Sequence, residues 1–174
     1  MGLNVGDPIP VVDIPLRVGD EFTTINTGEI SKGKRIVIFA LPGAFTPTCS
    51  TQQLPGFEEN YGKFQEKGID EVYCLSVNDS FVMNAWFKDL GIENVKSLPD
   101  GARSFTMSIG ALCEKNNLGF GFRSWRYAIL VDGDTSTVIE VFAEPEIRDM
   151  ADDDSYVVST PEAVLKWLQA NPQN

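Results

Sequence analysis

Cys49 is the residue whose type and setting best suit covalent chemistry. It completes the spacing P-x-x-x-T-x-x-C with Pro42 and Thr46. The run Thr46-Pro47-Thr48 offers a capping hydroxyl and a proline at a first helical position, which predicts Cys49 in the first turn of a helix. Free backbone N–H groups and the helix dipole favour a thiolate there, and the Thr46 hydroxyl can hydrogen-bond what the sulfur attacks. A buried, inert thiol is the alternative.

The composition excludes the usual partners of a nucleophilic cysteine. The chain contains no histidine, which removes the commonest general base and the commonest metal ligand. A Ser-His-Asp hydrolase and a Cys-His protease are therefore excluded, and groups other than imidazole must hold the Cys49 thiolate. Disulfide exchange of the thioredoxin type needs a second thiol three positions from the first, and Thr46 occupies that position.

A strand and a helix must position this cysteine. Residues 36–41 form a continuous apolar run rich in β-branched side chains, which predicts a strand buried on both faces. Pro42-Gly43 ends that strand. Apolar residues at spacings of three and four then predict an amphipathic helix over residues 47–67, and Pro55 inside it should kink the helix.

The other segments alternate between strand and helix patterns, which indicates an α/β fold with a central mixed sheet flanked by helices. The predicted elements are, in order, an N-terminal hairpin (residues 11–18 and 21–25), a buried strand (72–77), a helix (81–87) capped by residues 78–80, a short strand (95–98), a short helix (102–109), an irregular loop (110–121), a hairpin at the far edge of the sheet (125–131 and 137–142), and a last helix that begins at Thr160-Pro161.

Length and charge limit the classes of function. With 174 residues, of which 43% are hydrophobic, we expect one substantial core and a single domain over residues 1–174. The net charge of −11 argues against binding to nucleic acid or to an anionic membrane. Much of that charge lies in residues 144–154, which we interpret as a solvated acidic loop.

The three cysteines are widely spaced, which argues against both a disulfide scaffold and a zinc ribbon. Reduced thiols fit a cytoplasmic location. The N-terminus shows no targeting pattern, and no apolar run reaches membrane-spanning length. We therefore expect a soluble protein that uses neither a metal nor a bound cofactor.

Several sequence blocks resemble the active-site regions of peroxiredoxins. The segment PGAFTPTCS at residues 42–50 is similar to their active-site motif, and three further blocks are similar to the type-five subfamily that includes the plant type II enzymes. These are LPGF at residues 54–57, LSVND at residues 75–79 and LGFGFRSWRY at residues 118–127. The resemblance covers nearly the whole chain. It implies a thioredoxin-like fold and the reduction of hydrogen peroxide or organic hydroperoxides by a cysteine thiol.

The resemblance also implies residue roles. Cys49 would be the peroxidatic nucleophile that becomes a sulfenic acid, Thr46 would hydrogen-bond the peroxide, and Pro42 would shield the sulfur from water. Arg126 would stabilise the thiolate and the leaving oxygen. An arginine at the start of a buried strand is unusual in any case, because an unpaired charge there is costly; the alternative is a surface-facing arginine at a strand end. Members of the subfamily commonly carry histidine at the position of Gln53, so proton shuttling there is in doubt.

Three sources of the thiol that reduces the sulfenic acid are compatible with the sequence: Cys74, Cys113 and an external thiol. Cys74 has a counterpart in some plant type II sequences but lies in an apolar strand, and Cys113 is expected to be more accessible without matching a resolving position. We therefore favour a one-cysteine mechanism, in which glutathione with glutaredoxin, or thioredoxin, supplies the reducing thiol. The alternatives are a two-cysteine peroxidase that uses Cys74, and a redox sensor that does not turn over.

The family resemblance implies a homodimer packed near the active-site loops. Phe45, Phe81 and residues 118–122 are the expected contacts, although packing within the core of one chain would explain their aromatic character equally well.

Overall fold

The computed structural model describes residues 1–145, 147–151 and 154–173. Its centre is a five-stranded mixed sheet in the order β5-β4-β3-β8-β9. The two strands on one side of β3 run parallel to it, whereas β8 is antiparallel to β3 and β9 is antiparallel to β8. The strands are β3 (Ile36–Ala40), β4 (Glu71–Ser76), β5 (Lys96–Pro99), β8 (Tyr127–Val131) and β9 (Val138–Ala143).

Strand β3 is buried along its whole length, with no exposed surface at any of its five residues. Its side chains alternate between two cores, as the pleat of a strand requires. Ile36 and Ile38 pack into the core on one face of the sheet, and Val37 and Phe39 pack into the core on the other. The predicted strand with both faces covered is therefore confirmed.

Different layers cover the two faces. The face that holds Val37 and Phe39 packs against four helices, and the other face packs against two short helices and the hairpins. Within the described ranges, none of the helices combines the length and apolar character needed to cross a bilayer. The helices are α1 (Thr27–Ile30), α2 (Leu54–Glu59), α3 (Tyr61–Glu66), α4 (Ser80–Asp89), α5 (Ser104–Ser108) and α6 (Pro161–Ala170), of which α2, α3, α4 and α6 lie on the first face.

The predicted N-terminal hairpin is confirmed as β1 (Asp13–Val18) paired with β2 (Glu21–Asn26). The predicted irregular loop over residues 110–121 is wrong, because part of it pairs in a second hairpin. That hairpin joins β6 (Leu112–Glu114) to β7 (Phe122–Ser124) around a 3₁₀ turn. Glycines at 119 and 121 adopt positive φ, which lets this short connection reverse direction.

The predicted helix over residues 47–67 is divided into segments. It begins at Pro47, widens into a π-helical turn over Cys49–Gln53, continues as α2 and breaks before α3. Pro55 accounts for the irregularity, because it has no N–H to donate and its ring crowds the carbonyl four residues earlier. The kink predicted at Pro55 therefore takes the form of a widened turn, and that turn starts at Cys49.

Candidate active site

Cys49 lies two residues past the helix start at Pro47, beyond the carboxyl end of β3. Its placement in the first helical turn is confirmed, and its side chain is only 1% exposed. The loop that leads to it contains Phe45 at φ 63°, an uncommon conformation for a residue with a side chain. The sharp turn between strand and helix thus brings a buried thiol to the end of the sheet.

Thr46 and Pro42 border the approach to the sulfur. Both line a cavity of about 110 Å³. The Thr46 hydroxyl was expected to cap the helix, but it donates to the carbonyl of Gly43 at 2.6 Å. With its proton used in this way, the hydroxyl oxygen faces other groups as an acceptor.

Asn78 and Arg123 hold the loop before Cys49, and the sequence analysis did not single out either residue. The Asn78 Oδ1 accepts from the Ala44 N–H at 3.0 Å, and Arg123 Nη1 donates to the Pro42 carbonyl at 3.3 Å. Burial lowers the pKa of Arg123, while the nearby Cys49 acts in the opposite direction. The sequence signal that could have identified Asn78 and Arg123 is their position inside the blocks LSVND and LGFGFRSWRY.

Arg123 also explains why residue 43 is a glycine. A Cβ placed on Gly43 would lie 2.6 Å from Arg123 Nη1, a distance at which one of the two groups would have to move. The Pro42-Gly43 step therefore ends the strand and also leaves room for a second cationic side chain near Cys49.

Arg126 brings its guanidinium to the sulfur. Its Nη1 lies 3.5 Å from the Cys49 Sγ, and its side chain is only 3% exposed. Nη2 forms an ion pair with Asp154, and the guanidinium lies 5.5 Å from the centre of the Tyr156 ring. The alternative of a surface-facing arginine is wrong. The buried charge has partners on several sides, which offsets the cost of removing it from water.

Gln53 links this arginine to the sheet. Its Oε1 accepts from Arg126 Nη1, and its Nε2 donates to the Ala40 carbonyl at 3.0 Å. The carbonyl can only accept and the guanidinium can only donate, so these partners fix which way the amide points. Gln53 has no exposed surface. Gln53, which cannot titrate, therefore occupies the position where histidine is common in the subfamily, and it forms two hydrogen bonds there.

The acidic segment over residues 144–154 is only in part the solvated loop that we expected. Asp149 and Met150 are exposed, but Glu144 is 3% exposed and accepts from the backbone N–H groups of Val157 and Ser159 at 2.8 and 2.9 Å. Asp154 is half exposed and pairs with the buried Arg126. The Glu144 carboxylate can enter the interior because N–H donors replace water there. Glu146, Asp152 and Asp153 lie outside the described residues.

The two other cysteines occupy opposite faces of the sheet. Cys74 in β4 belongs to the core that contains Cys49, and burial raises its pKa well above the usual value. Cys113 belongs to the other core, and burial raises its pKa to about 11. The expectation that Cys113 is more accessible is wrong, because it is 1% exposed and its Sγ lies 3.4 Å from the Arg123 carbonyl oxygen.

The described side chains form no cluster of three or more acidic or cysteine ligands that could hold a metal ion. The Arg126 guanidinium donates to the Cys49 sulfur, and Gln53 and Asp154 in turn accept from that guanidinium. A thiolate beside such a charged donor is suited to attack an electrophile whose leaving atom gains negative charge.

Comparisons with known proteins agree with this chemistry. Residues 4–158 match the Redoxin family model. A peroxiredoxin of Sinorhizobium fredii is 49% identical over 170 residues, which cover 92% of this chain and 89% of the relative. A 1-Cys peroxiredoxin from Plasmodium falciparum has 37% identity and a TM-score of 0.91, with 97% of this chain and 100% of that one covered.

A third comparison includes a bound peroxide. The structure of reduced Prx3 from Vibrio vulnificus, in complex with hydrogen peroxide, is 34% identical with a TM-score of 0.85, and the match covers 95% of this chain and 99% of that one. The thioredoxin-like fold implied by the sequence blocks is confirmed by these structures. The chain therefore belongs to the peroxiredoxin family of thiol peroxidases.

Proposed function

We propose that this protein reduces hydrogen peroxide and organic hydroperoxides through Cys49. The observation that carries the proposal is the 3.5 Å contact between Arg126 Nη1 and the Cys49 Sγ. It places a permanent positive charge beside a buried sulfur. Thr46, three residues before Cys49, lines a neighbouring cavity of about 110 Å³ in which a small substrate could bind.

The chemistry follows from the arrangement of donors and acceptors. The Cys49 thiolate attacks one peroxide oxygen, the O–O bond breaks, and the sulfur is oxidised to a sulfenic acid. The electron pair of the broken bond leaves on the distal oxygen, which takes a proton from solvent and departs as water or an alcohol. Arg126 stabilises the charge on that oxygen. The Thr46 oxygen accepts from the peroxide O–H, because its own proton is donated to Gly43.

A one-cysteine cycle fits the positions of the thiols. Cys113 belongs to the opposite core, and Cys74 is fully buried in a central strand, so a disulfide between either residue and Cys49 requires local unfolding. An external thiol attacks the sulfenic acid instead, forming a mixed disulfide and water, and a second thiol then restores Cys49. We propose glutathione with glutaredoxin as the source, with thioredoxin as the alternative reductant, in the cytoplasm. Similarity to the 1-Cys peroxiredoxin of Plasmodium falciparum supports the one-cysteine cycle.

Steady-state peroxide consumption tests the proposal. With glutathione and glutaredoxin supplied, the wild-type protein should turn over many times, and Cys49→Ser should abolish consumption. The matched control is the double variant Cys74→Ser with Cys113→Ser, which should keep wild-type turnover. Full activity in Cys49→Ser would refute the assignment. Loss of turnover in Cys74→Ser alone would favour the two-cysteine alternative, and a stall after one turnover in the wild type would favour a sensor.

We also propose a homodimer that uses the exposed aromatic surface near the site. Phe45 and Phe81 are 54% and 57% exposed, and Leu118 and Phe122 are about half exposed. Large apolar side chains left in water favour association. In sedimentation experiments Phe81→Asp should shift the protein toward monomer, whereas Val5→Asp, at another exposed apolar position, should not.

A further inference from the structure

Asp154 covers the outer side of the guanidinium that faces Cys49. Arg126 directs Nη1 inward to the sulfur and to Gln53, and its Nη2 forms the ion pair with Asp154. The arginine side chain is 3% exposed, whereas that of Asp154 is 48% exposed. A carboxylate at the border of solvent therefore occupies the donor through which an approaching anion would reach the buried arginine.

Described residues on both sides of Asp154 form hydrogen bonds with the rest of the fold. Before it, the Met150 N–H donates to the Glu114 carbonyl at 2.8 Å, and Lys115 Nζ donates to the Ala151 carbonyl at 3.0 Å. After it, the N–H groups of residues 157–159 donate to the buried Glu144 carboxylate. The Asp154 carboxylate itself is fixed by its ion pair with Arg126.

The cavity at Thr46 places Asp154 opposite a cation. Lys115 and Asp154 both line this space of about 110 Å³, together with Pro42, Leu118 and Phe120. Among the described lining residues, Asp154 supplies the carboxylate and Lys115 the ammonium. Thr46, three residues before Cys49, lines the same space, so a peroxide that approaches Cys49 past Thr46 would pass near both charges.

We propose that Asp154 is a specificity-determining residue that favours uncharged hydroperoxides over hydroperoxides that carry a carboxylate. This inference rests on the proposed peroxidase function. Without Asp154, the ammonium of Lys115 and the outer donors of Arg126 would attract an anionic substrate. With Asp154 present, the arginine is already paired, and a second carboxylate in the cavity meets a like charge. The discrimination should be about tenfold, since the carboxylate is half exposed to solvent.

The test compares two substrates that differ in charge: a tertiary alkyl hydroperoxide with a terminal carboxylate, and the methyl ester of the same compound. Single-turnover oxidation is followed by tryptophan fluorescence, for which Trp86 is well placed because its Nε1 donates to Ser50 at 2.9 Å. Asp154→Asn keeps an oxygen that can accept from Arg126 and removes the charge. It should raise the acid-to-ester rate ratio about tenfold.

Asp134→Asn is the matched control, because it removes the same charge from an exposed turn after β8, at the opposite end of the sheet. It should leave the ratio unchanged. Added salt should raise the wild-type ratio toward that of Asp154→Asn by screening the repulsion. A ratio that responds neither to salt nor to Asp154→Asn would overturn this inference alone. Failure of every peroxide to oxidise the wild-type protein would overturn the peroxidase function as well.

Discussion

Cys49 and Cys74 lie on the same face of the sheet and are equally hidden from solvent, with exposures of 1% and 0%. Their surroundings differ in charge. Cys74 is in the middle of β4 among apolar side chains, and burial raises its pKa well above the usual value. Cys49 has the Arg126 guanidinium at 3.5 Å. Burial alone therefore does not determine the chemistry of a thiol, since a cation at contact distance offsets the cost of a buried anion.

The two thiols also differ in the regularity of the backbone around them. Cys74 is held by regular ladders to β3 and β5, whereas Cys49 begins a π-helical turn behind a residue with positive φ. Irregular backbone places the reactive sulfur where regular helix geometry would not. Four experiments test this contrast, beginning with the one that compares the thiols directly.

Alkylation of the native protein should separate the thiols by the largest factor. At pH 8 a group with a pKa of about 11, such as Cys113, is thiolate in about one molecule in 10³. Iodoacetamide should therefore label Cys113 very slowly. Cys49, with a guanidinium at 3.5 Å, should be labelled first, and Cys74 should react only after denaturation. Peptide mapping by mass spectrometry measures the three rates. Comparable labelling of Cys74 or Cys113 in the folded protein would contradict the contrast.

Removing the guanidinium should make the site of Cys49 resemble that of Cys74. Arg126→Gln is expected to lower the rate constant for reaction with hydrogen peroxide about 10²- to 10³-fold, because a charged donor to the thiolate and the leaving oxygen is lost. Arg35→Gln removes the same charge before the opposite end of β3 and serves as the control. Stopped-flow oxidation gives both rates, and a loss of less than about threefold in Arg126→Gln would show that the contact is incidental.

Gln53→Leu should have a smaller effect through the position of Arg126. The change removes the acceptor for the guanidinium and leaves the Ala40 carbonyl without its donor. We expect a rate loss of about tenfold and a loss of about 1–3 kcal/mol in unfolding free energy. Gln52→Leu, at the exposed neighbouring position, should change neither. Wild-type rates in Gln53→Leu would show that Arg126 is held by its other contacts alone.

The smallest effect is expected on the strand that carries Cys74. Burial opposes ionisation of Glu71, but hydrogen bonds from Lys96, Tyr73 and Lys34 outweigh it and lower the pKa from 4.5 to about 2. The carboxylate thus stabilises the fold above pH 4.5, and this contribution disappears as the pH falls toward 2. Glu71→Gln should cost about 1 kcal/mol or less at neutral pH and leave peroxide turnover unchanged. Denaturation at several pH values checks the trend; a stability difference that grows in acid would contradict it.

The parts of the site that follow from local sequence were predictable. The apolar run of β3, the Pro-Gly turn and the proline at the helix start all act within a few residues, and they placed Cys49 correctly. The role expected for Arg126 came from the resemblance of its block, and the structure brings it to the sulfur. The placement of Cys49 and the role of Arg126 could both be inferred without knowing which distant segments of the chain are in contact.

What escaped prediction depends on long-range packing. Asp154 is 28 positions from Arg126 in the sequence, and a run of acidic residues is usually solvated, so nothing local distinguished it. The face on which Cys113 lies depends on the register of β6 against β7. Gln53 was recognised as a departure from the family pattern, but its two partners lie at the end of β3 and just before the start of β8.

The most direct test of the account is the fate of Cys49 after one equivalent of peroxide without added thiol. The oxidised protein is trapped with dimedone, which reacts with sulfenic acids, and then analysed by intact mass and peptide mapping. The account predicts a single dimedone adduct, on Cys49, that disappears when glutathione is added before the trap. A loss of two hydrogens with no adduct, or an adduct on Cys74 or Cys113, would contradict it.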